Sequence, residues 1–146
     1  MALIIKEIDV DITKTQFEHI KNLLIQLYPK NMPLSYQSYR NTLLENKIRV
    51  FSAEENNRII AIATLVIYKK LGGIVATIED VVVDNSERGK GVGTKLTRKL
   101  LEEAKKAGVN FVDVNTRRPD AKAFYEKLGF TDKTKDRPFY SLRYYF

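Results

Sequence analysis

A β-rich run from Ile74 to Val83 stops at Asp84-Asn85-Ser86. The chain then reads Glu87-Arg88-Gly89-Lys90-Gly91-Val92-Gly93-Thr94, with three glycines crowded into the opening of an amphipathic helix. That order demands a strand, a sharp turn and a helix whose first residues bring bare main chain close to another surface. The helix is predicted over Gly91 to Ala107. Val92, Leu96, Leu100, Ala104 and Ala107 fall on one stripe, Gly108 is placed to cap the end, and Val109 to Val114 follows as a buried-type strand. N–H groups left unpaired at a helix N-terminus, with the positive end of the helix dipole, favour an anion, and Arg88 and Lys90 add charge of matching sign. The run therefore reads as a diphosphate cradle. It lacks both the Gly-x-Gly-x-x-Gly spacing and the Gly-Lys-Ser/Thr ending of a P-loop, and an ordinary glycine-rich turn is the bland alternative.

The remaining elements fit the same layout. Leu3 to Val10 is predicted as a first strand. Thr15-x-x-Glu18 is a capping-box pattern, after which Phe17, Ile20, Leu23, Leu24 and Leu27 recur at helical spacing until Pro29. Ser35 to Asn46 reads as a second, shorter helix. Ile48 to Ala53 and Ile59 to Tyr68 flank Asn56-Asn57 as a hairpin, and Gly72-Gly73 turns the chain into the strand ending at Val83. Pro119 opens a last helix, Gly129 ends it, and Pro138 to Tyr145 is expected to form a closing strand. The expectation is one α/β domain over residues 1–146, a central mixed sheet flanked by about four helices.

Composition narrows the chemistry. With no cysteine, disulfides, zinc thiolates and thiol nucleophiles are excluded, and the single His19 cannot alone supply a metal site or a Ser-His triad. No metal is expected. The first ten residues alternate apolar and charged side chains, and no apolar run approaches the roughly 18 residues of a membrane span. A cytoplasmic enzyme with no membrane partner is the expectation. The net charge of +7, from 25 Lys and Arg against 18 Asp and Glu, suits a polyanion. Lys90, Lys95, Arg98 and Lys99 gather near the cradle, but no continuous basic stripe or aromatic-interleaved motif marks a specific nucleic-acid site.

Arg88-x-x-Gly91-x-Gly93, directly after Ile78-Glu79-Asp80-Val81-Val82-Val83, resembles the coenzyme A-binding motif of the GCN5-related N-acetyltransferase (GNAT) superfamily. Ala121-Lys122-Ala123-Phe124-Tyr125-Glu126-Lys127-Leu128-Gly129-Phe130 is similar to the superfamily's last motif, and the two stand in the family's order. The resemblance covers about half the chain, from Ile74 onward. One position departs from it, because the family often places an Asn where Arg118 stands.

The resemblance implies a GNAT-like fold and transfer of an acetyl group from acetyl-coenzyme A to an amine. Such transfer needs a neutral amine, a hydrogen-bond donor for the charge developing on the carbonyl oxygen, and an acid for the departing thiolate. Without cysteine the simplest route is direct transfer in a ternary complex. By the resemblance, Val81, Val82 and Val83 lie along the pantetheine arm, with backbone groups of Val81 and Val83 doing the binding and the Val81 N–H facing the thioester carbonyl. Arg88, Gly89, Lys90, Gly91, Val92, Gly93 and Thr94 wrap the diphosphate. Tyr125 matches the general acid, with a packed core aromatic as its plainer reading, since a phenol of pKa about 10 is protonated at neutral pH. Glu79 is the candidate base, directly or through a water, because a carboxylate in an apolar strand calls for a partner; a salt bridge is the equal alternative. Strand alternation puts Glu79 on the side of Val81 and Val83 unless a bulge intervenes.

The acceptor is expected between Tyr28 to Tyr36 and Lys133 to Tyr140, which mix aromatic and basic residues. Ile-Glu-Asp resembles the corresponding strand of glucosamine-phosphate acetyltransferases, but the acidic motif those enzymes carry before their final helix is absent. Three classes therefore stay open: an N-acetyltransferase of a small-molecule amine, the same chemistry on a peptide N-terminus or lysine, and a non-catalytic coenzyme A-binding or basic nucleic-acid-binding module. A homodimer is compatible with each.

Overall fold

A computed structural model describes residues 2–30, 34–45 and 47–146. The element order is β1 (Ile4–Glu7), α1 (Lys14–Leu27), α2 (Tyr36–Leu44), β2 (Ile48–Glu55), β3 (Arg58–Lys70), β4 (Gly73–Val83), a 3-10 turn (Asn85–Glu87), α3 (Val92–Lys106), β5 (Val112–Val114) and α4 (Pro119–Lys127). The five strands form one sheet in chain order, antiparallel from β1 to β4, with β5 parallel to β4. The α/β class, mixed sheet and four helices are those expected. The residues gather into two compact units, Met1–Asn115 and Thr116–Phe146.

In the first unit the sheet separates two apolar layers. Register pairs Val50 with Thr64, and Ile62 with both Ser52 and Val82, so these residues share one face. There Val50, Ile62 and Val82 pack with Phe17, Ile20, Leu23 and Leu24 of α1 and Tyr39 of α2. The alternate residues Phe51, Ala61, Ala63 and Leu65 are buried on the face where α3 lies, and Leu96, Leu100 and Ala104 of α3 are buried with them. Arg49 crosses to that helix, its Nη2 3.0 Å from Glu103 Oε2. Small residues on the sheet let the helix approach closely.

Several boundaries differ from the sequence reading. The capping box of α1 is Thr13 and Gln16, not Thr15 and Glu18: Thr13 Oγ1 accepts from the Gln16 N–H at 3.1 Å, and Gln16 Oε1 accepts from the Thr13 N–H at 2.9 Å. Moving the cap two residues upstream leaves the buried stripe unchanged. Ser35 caps α2, and the predicted end of that helix, Asn46, lies outside the described residues. Asn56 and Asn57 have φ of 52° and 61°, the left-handed pair a tight hairpin requires. The strand expected over Val109 to Val114 is only Val112–Val114, and it is half-exposed because, among the described residues, β5 at the sheet edge pairs with β4 alone.

The second unit holds α4 and an irregular tail. Pro119 occupies the first turn of α4 and Gly129, at φ +100°, follows its end. The expected closing strand over Pro138 to Tyr145 does not form. A strand needs a ladder partner or a buried face, and this segment has no ladder, with Tyr140 80% and Leu142 93% exposed.

Candidate active site

Asp84 ends β4 and organises the turn after it. Its Oδ1 accepts from the Ser86 N–H at 2.9 Å and the Ser86 hydroxyl at 2.7 Å, and these bonds hold its carboxyl below the usual range. Arg58 Nη2 lies 2.7 Å from Asp84 Oδ2, and the Asn85 N–H donates to Gln26 Oε1 at 2.9 Å. The turn is thus pinned to β3 and α1. Arg88 then folds back, its Nε donating to the Val83 carbonyl at 3.2 Å.

Gly89 and Gly91 follow at φ of +79° and +82°, the left-handed region that a side chain makes costly. Gly91 is the N-cap of α3 and offers no side-chain acceptor, so Val92, Gly93 and Thr94 keep their N–H groups uncapped; the first turn closes only with Lys95 N–H to Gly91 O at 3.1 Å. A Cβ built on Gly89 or Gly91 meets no atom within 4 Å. The space beside this helix end is open, and uncapped donors at the positive end of the α3 dipole face it, so the residues present fit a diphosphate. Lys90 also pairs with Glu87 at 2.9 Å, which raises its pKa, and Lys99 reaches Glu103 at 2.9 Å. Part of the positive charge expected at the cradle is therefore already neutralised.

Upstream, β4 pairs with β5 only from Ala76 to Ile78. From Glu79 on, its β5-side edge carries no strand among the described residues. Val82 is buried in the α1/α2 core and Val81 and Val83 are half-buried, so side chains serve packing while main chain on that edge is available.

A bulge intervenes where β4 faces β3. Ile62 pairs with Val82 but Thr64 pairs with Glu79, so two steps along β3 match three along β4, and Asp80 absorbs the extra residue at φ +51°. The expectation that Glu79 shares a side with Val81 and Val83 is therefore overturned. Glu79 lies on the Thr64 and Val82 side, toward α1 and α2. Glu79 is exposed, so the expectation that a carboxylate in this apolar strand needs a partner does not hold; the Thr77 hydroxyl stands 3.4 Å from Glu79 Oε1, and no ion pair to Glu79 or Asp80 forms among the described residues.

On this side the first unit contains a half-open cavity of about 340 Å³ between the sheet, α1 and α2. Apolar residues such as Leu24, Ile62 and Val66 line most of it, with Glu79 and Asp80 among its walls. Tyr28, just past α1, donates its hydroxyl to Asp80 Oδ1; that bond, with burial second, pushes the Tyr28 phenol up to about 12. Of the segment Tyr28 to Tyr36 expected to shape the acceptor site, Asn31, Met32 and Pro33 lie outside the described residues.

In the second unit Tyr125 sits on α4, with its ring 5.0 Å from that of Phe124 and 5.4 Å from that of Phe130 between centroids. It is 8% exposed, and burial pushes its phenol above the ordinary value, so it stays protonated through the neutral range. Arg118, at the position where the family pattern has Asn, is the N-cap of α4 and pairs with Asp120. Lys133 and Phe139 of the other expected acceptor segment form a cation–π contact at 4.3 Å.

Two residues lining the cavity, Asp80 and Thr64, and one bonded to it, Tyr28, escape a linear reading. Asp80 reaches it only through the bulge. Tyr28 reaches Asp80 from 52 residues away in sequence, and Thr64 sits unmarked inside an apolar strand.

Comparison with known proteins places these features in context. The acetyltransferase (GNAT) family pattern matches residues 17–130. The chain is 40% identical over 84 residues to probable glucosamine 6-phosphate N-acetyltransferase 2 of Oryza sativa subsp. japonica, a match covering 56% of this chain and half the length of that relative. It is 32% identical over 121 residues to glucosamine 6-phosphate N-acetyltransferase 1 of the same organism, covering 76% of this chain and 72% of the other. The crystal structure of glucosamine-6-phosphate N-acetyltransferase from Arabidopsis thaliana superposes with a TM-score of 0.81 at 25% identity, over 100% of this chain and 99% of that one.

Proposed function

The chain belongs to the acetyltransferase (GNAT) family, and on that premise we propose that it transfers an acetyl group from acetyl-coenzyme A directly to the primary amine of a small molecule. The observation that carries the reading is the cradle. Two left-handed glycines and the uncapped N–H groups of Val92, Gly93 and Thr94 border open space at the end of a strand whose edge is unpaired beyond Ile78. Acetyl-coenzyme A supplies an activated thioester. Residues Arg88 to Thr94 hold its diphosphate, and main chain of Val81 to Val83 lies along its arm. No side chain has to be spent on the cofactor beyond Arg88 and Lys90.

Glu79 takes the amine proton, directly or through a water, from the cavity side of the bulge. Tyr125 keeps its phenolic proton at neutral pH and gives it to the departing thiolate. The walled cavity supports a compact amine in preference to a peptide, and glucosamine 6-phosphate, named for both rice relatives, is one amine to test. We take residues 1–146 as one acetyltransferase domain, since the family match, over residues 17–130, runs from the first compact unit into the second. The deciding experiment measures free coenzyme thiol released from acetyl-coenzyme A with a panel of small amines and peptides. Steady release with a small amine is expected. Tight binding of acetyl-coenzyme A without release for any acceptor would reduce the chain to a binding module.

A further inference from the structure

The cavity beside the β4 bulge says more about the acceptor than the family does. Its only charged walls among the described residues are two carboxylates, the exposed Glu79 and the half-buried Asp80, and neither pairs with a cation among those residues. Thr64 is 7% exposed, lines the same cavity, stands opposite Glu79 in the β3–β4 register, and has no hydrogen-bond partner for its hydroxyl among the described residues. Its oxygen is not among the fully buried unpartnered atoms, so the hydroxyl opens onto the cavity and is available to a ligand. Thr64, Glu79 and Asp80 together present three acceptors at one end of a cavity whose other walls, Leu24, Ile62 and Val66 among them, are mostly apolar.

Resting on the acetyltransferase reading, we propose that the acceptor is a primary amine on a compact apolar body without a phosphate, docked with its nitrogen among Glu79, Asp80 and Thr64 and its body against the α1/α2 side of the sheet. An ammonium group has three N–H donors and matches three acceptors, whereas a phosphate meets only like charge there. The Tyr28 hydroxyl takes a single lone pair on Asp80, leaving the rest of that carboxylate for the ligand. At about 340 Å³ the space is at the small end of ligand sites, which suits an alkyl or arylalkyl amine. The ammonium binds as the cation and must then lose a proton to Glu79 before its lone pair can attack; one N–H bond breaks and one carboxyl O–H bond forms.

The test uses the full chain and two readouts. Thiol release is compared for 2-phenylethylamine, glucosamine and glucosamine 6-phosphate, and 2-phenylethylamine binding is measured by calorimetry without acetyl-coenzyme A. The arylalkylamine should exceed glucosamine 6-phosphate in kcat/KM by about tenfold or more. Asp80→Asn, which retains a residue tolerant of positive φ, and the near-isosteric Thr64→Val should each weaken its binding about tenfold with acetyl-coenzyme A affinity unchanged. Val66→Phe should fill the cavity and abolish amine binding alone. Preference for glucosamine 6-phosphate, or arylalkylamine binding indifferent to both Asp80→Asn and Thr64→Val, overturns the proposal while leaving the acetyltransferase reading intact. Binding that obeys the three variants without any thiol release supports the cavity assignment and removes the catalytic one.

Discussion

Gly91 and Gly108 make a matched pair for testing the cradle. Both bracket α3, their φ angles are +82° and +76°, and a Cβ on either meets nothing within 4 Å. Gly91→Ala and Gly108→Ala should therefore lose similar stability, about 1–2 kcal/mol for a left-handed non-glycine residue, or roughly 3–6 °C in Tm for a chain of this size. Their effects on the cofactor should diverge. Acetyl-coenzyme A at about 100 times its Kd stabilises the parent by about 2.7 kcal/mol, or roughly 8 °C. Gly108→Ala should retain that shift. At Gly91 the added methyl enters the open space assigned to the diphosphate and displaces it from the Val92 to Thr94 N–H groups, where each hydrogen bond to a charged group is worth about 1.5–3 kcal/mol. Loss of even one weakens binding about tenfold to a hundredfold, which calorimetric titration resolves. Equal acetyl-coenzyme A affinity in the two variants would refute the cradle, because the only difference left between them is which end of the helix they occupy.

Tyr125→Phe keeps the ring packed against Phe124 and Phe130 and deletes the proposed acid; turnover should fall roughly tenfold to a thousandfold with acetyl-coenzyme A binding retained, and parental turnover would return the tyrosine to a packing role. The Glu103 carboxyl, pulled to about 2 first by a hydrogen bond from Lys99 and then by one from Arg49, has a folded pKa below its ordinary 4.5. Its contribution to stability is therefore present above about pH 4.5 and lost as pH falls toward about 2, so Glu103→Gln should flatten the acid side of the urea-denaturation midpoint against pH. Thr97 is fully buried in α3 with its hydroxyl unpartnered among the described residues, so Thr97→Val should raise stability by about 1 kcal/mol, read as a higher urea midpoint at unchanged slope.

Local chemistry made much of this protein legible in advance. The Gly89 to Gly93 run, the stripe Val92, Leu96, Leu100 and Ala104, the Asn56-Asn57 hairpin and Pro119 at the start of α4 each act through neighbours in sequence, by φ restriction or by helical period. The geometry proposed as a cradle was readable for the same reason, because positive-φ glycines and an uncapped helix N-terminus follow from neighbouring residues. Where local signals competed, as between Thr13 and Thr15 for the α1 cap, the choice turned on which side chain met its reciprocal partner.

What lay beyond the sequence was whatever depends on pairing across the sheet. Period-two alternation assigns faces only while a strand stays in register, and one extra residue at Asp80 moved Glu79 from the Val81 side to the cavity side. Pro138 to Tyr145 carries strand-forming residues, yet propensity cannot supply a neighbour, and without a ladder it remains irregular. The cavity beside the β4 bulge is the fullest case. Thr64, the Glu79-Asp80 pair and, through its bond to Asp80, Tyr28 come from three separate stretches and acquire a common chemistry only once β3, β4 and α1 are packed, because a site of converging side chains is a property of distances the chain order does not contain.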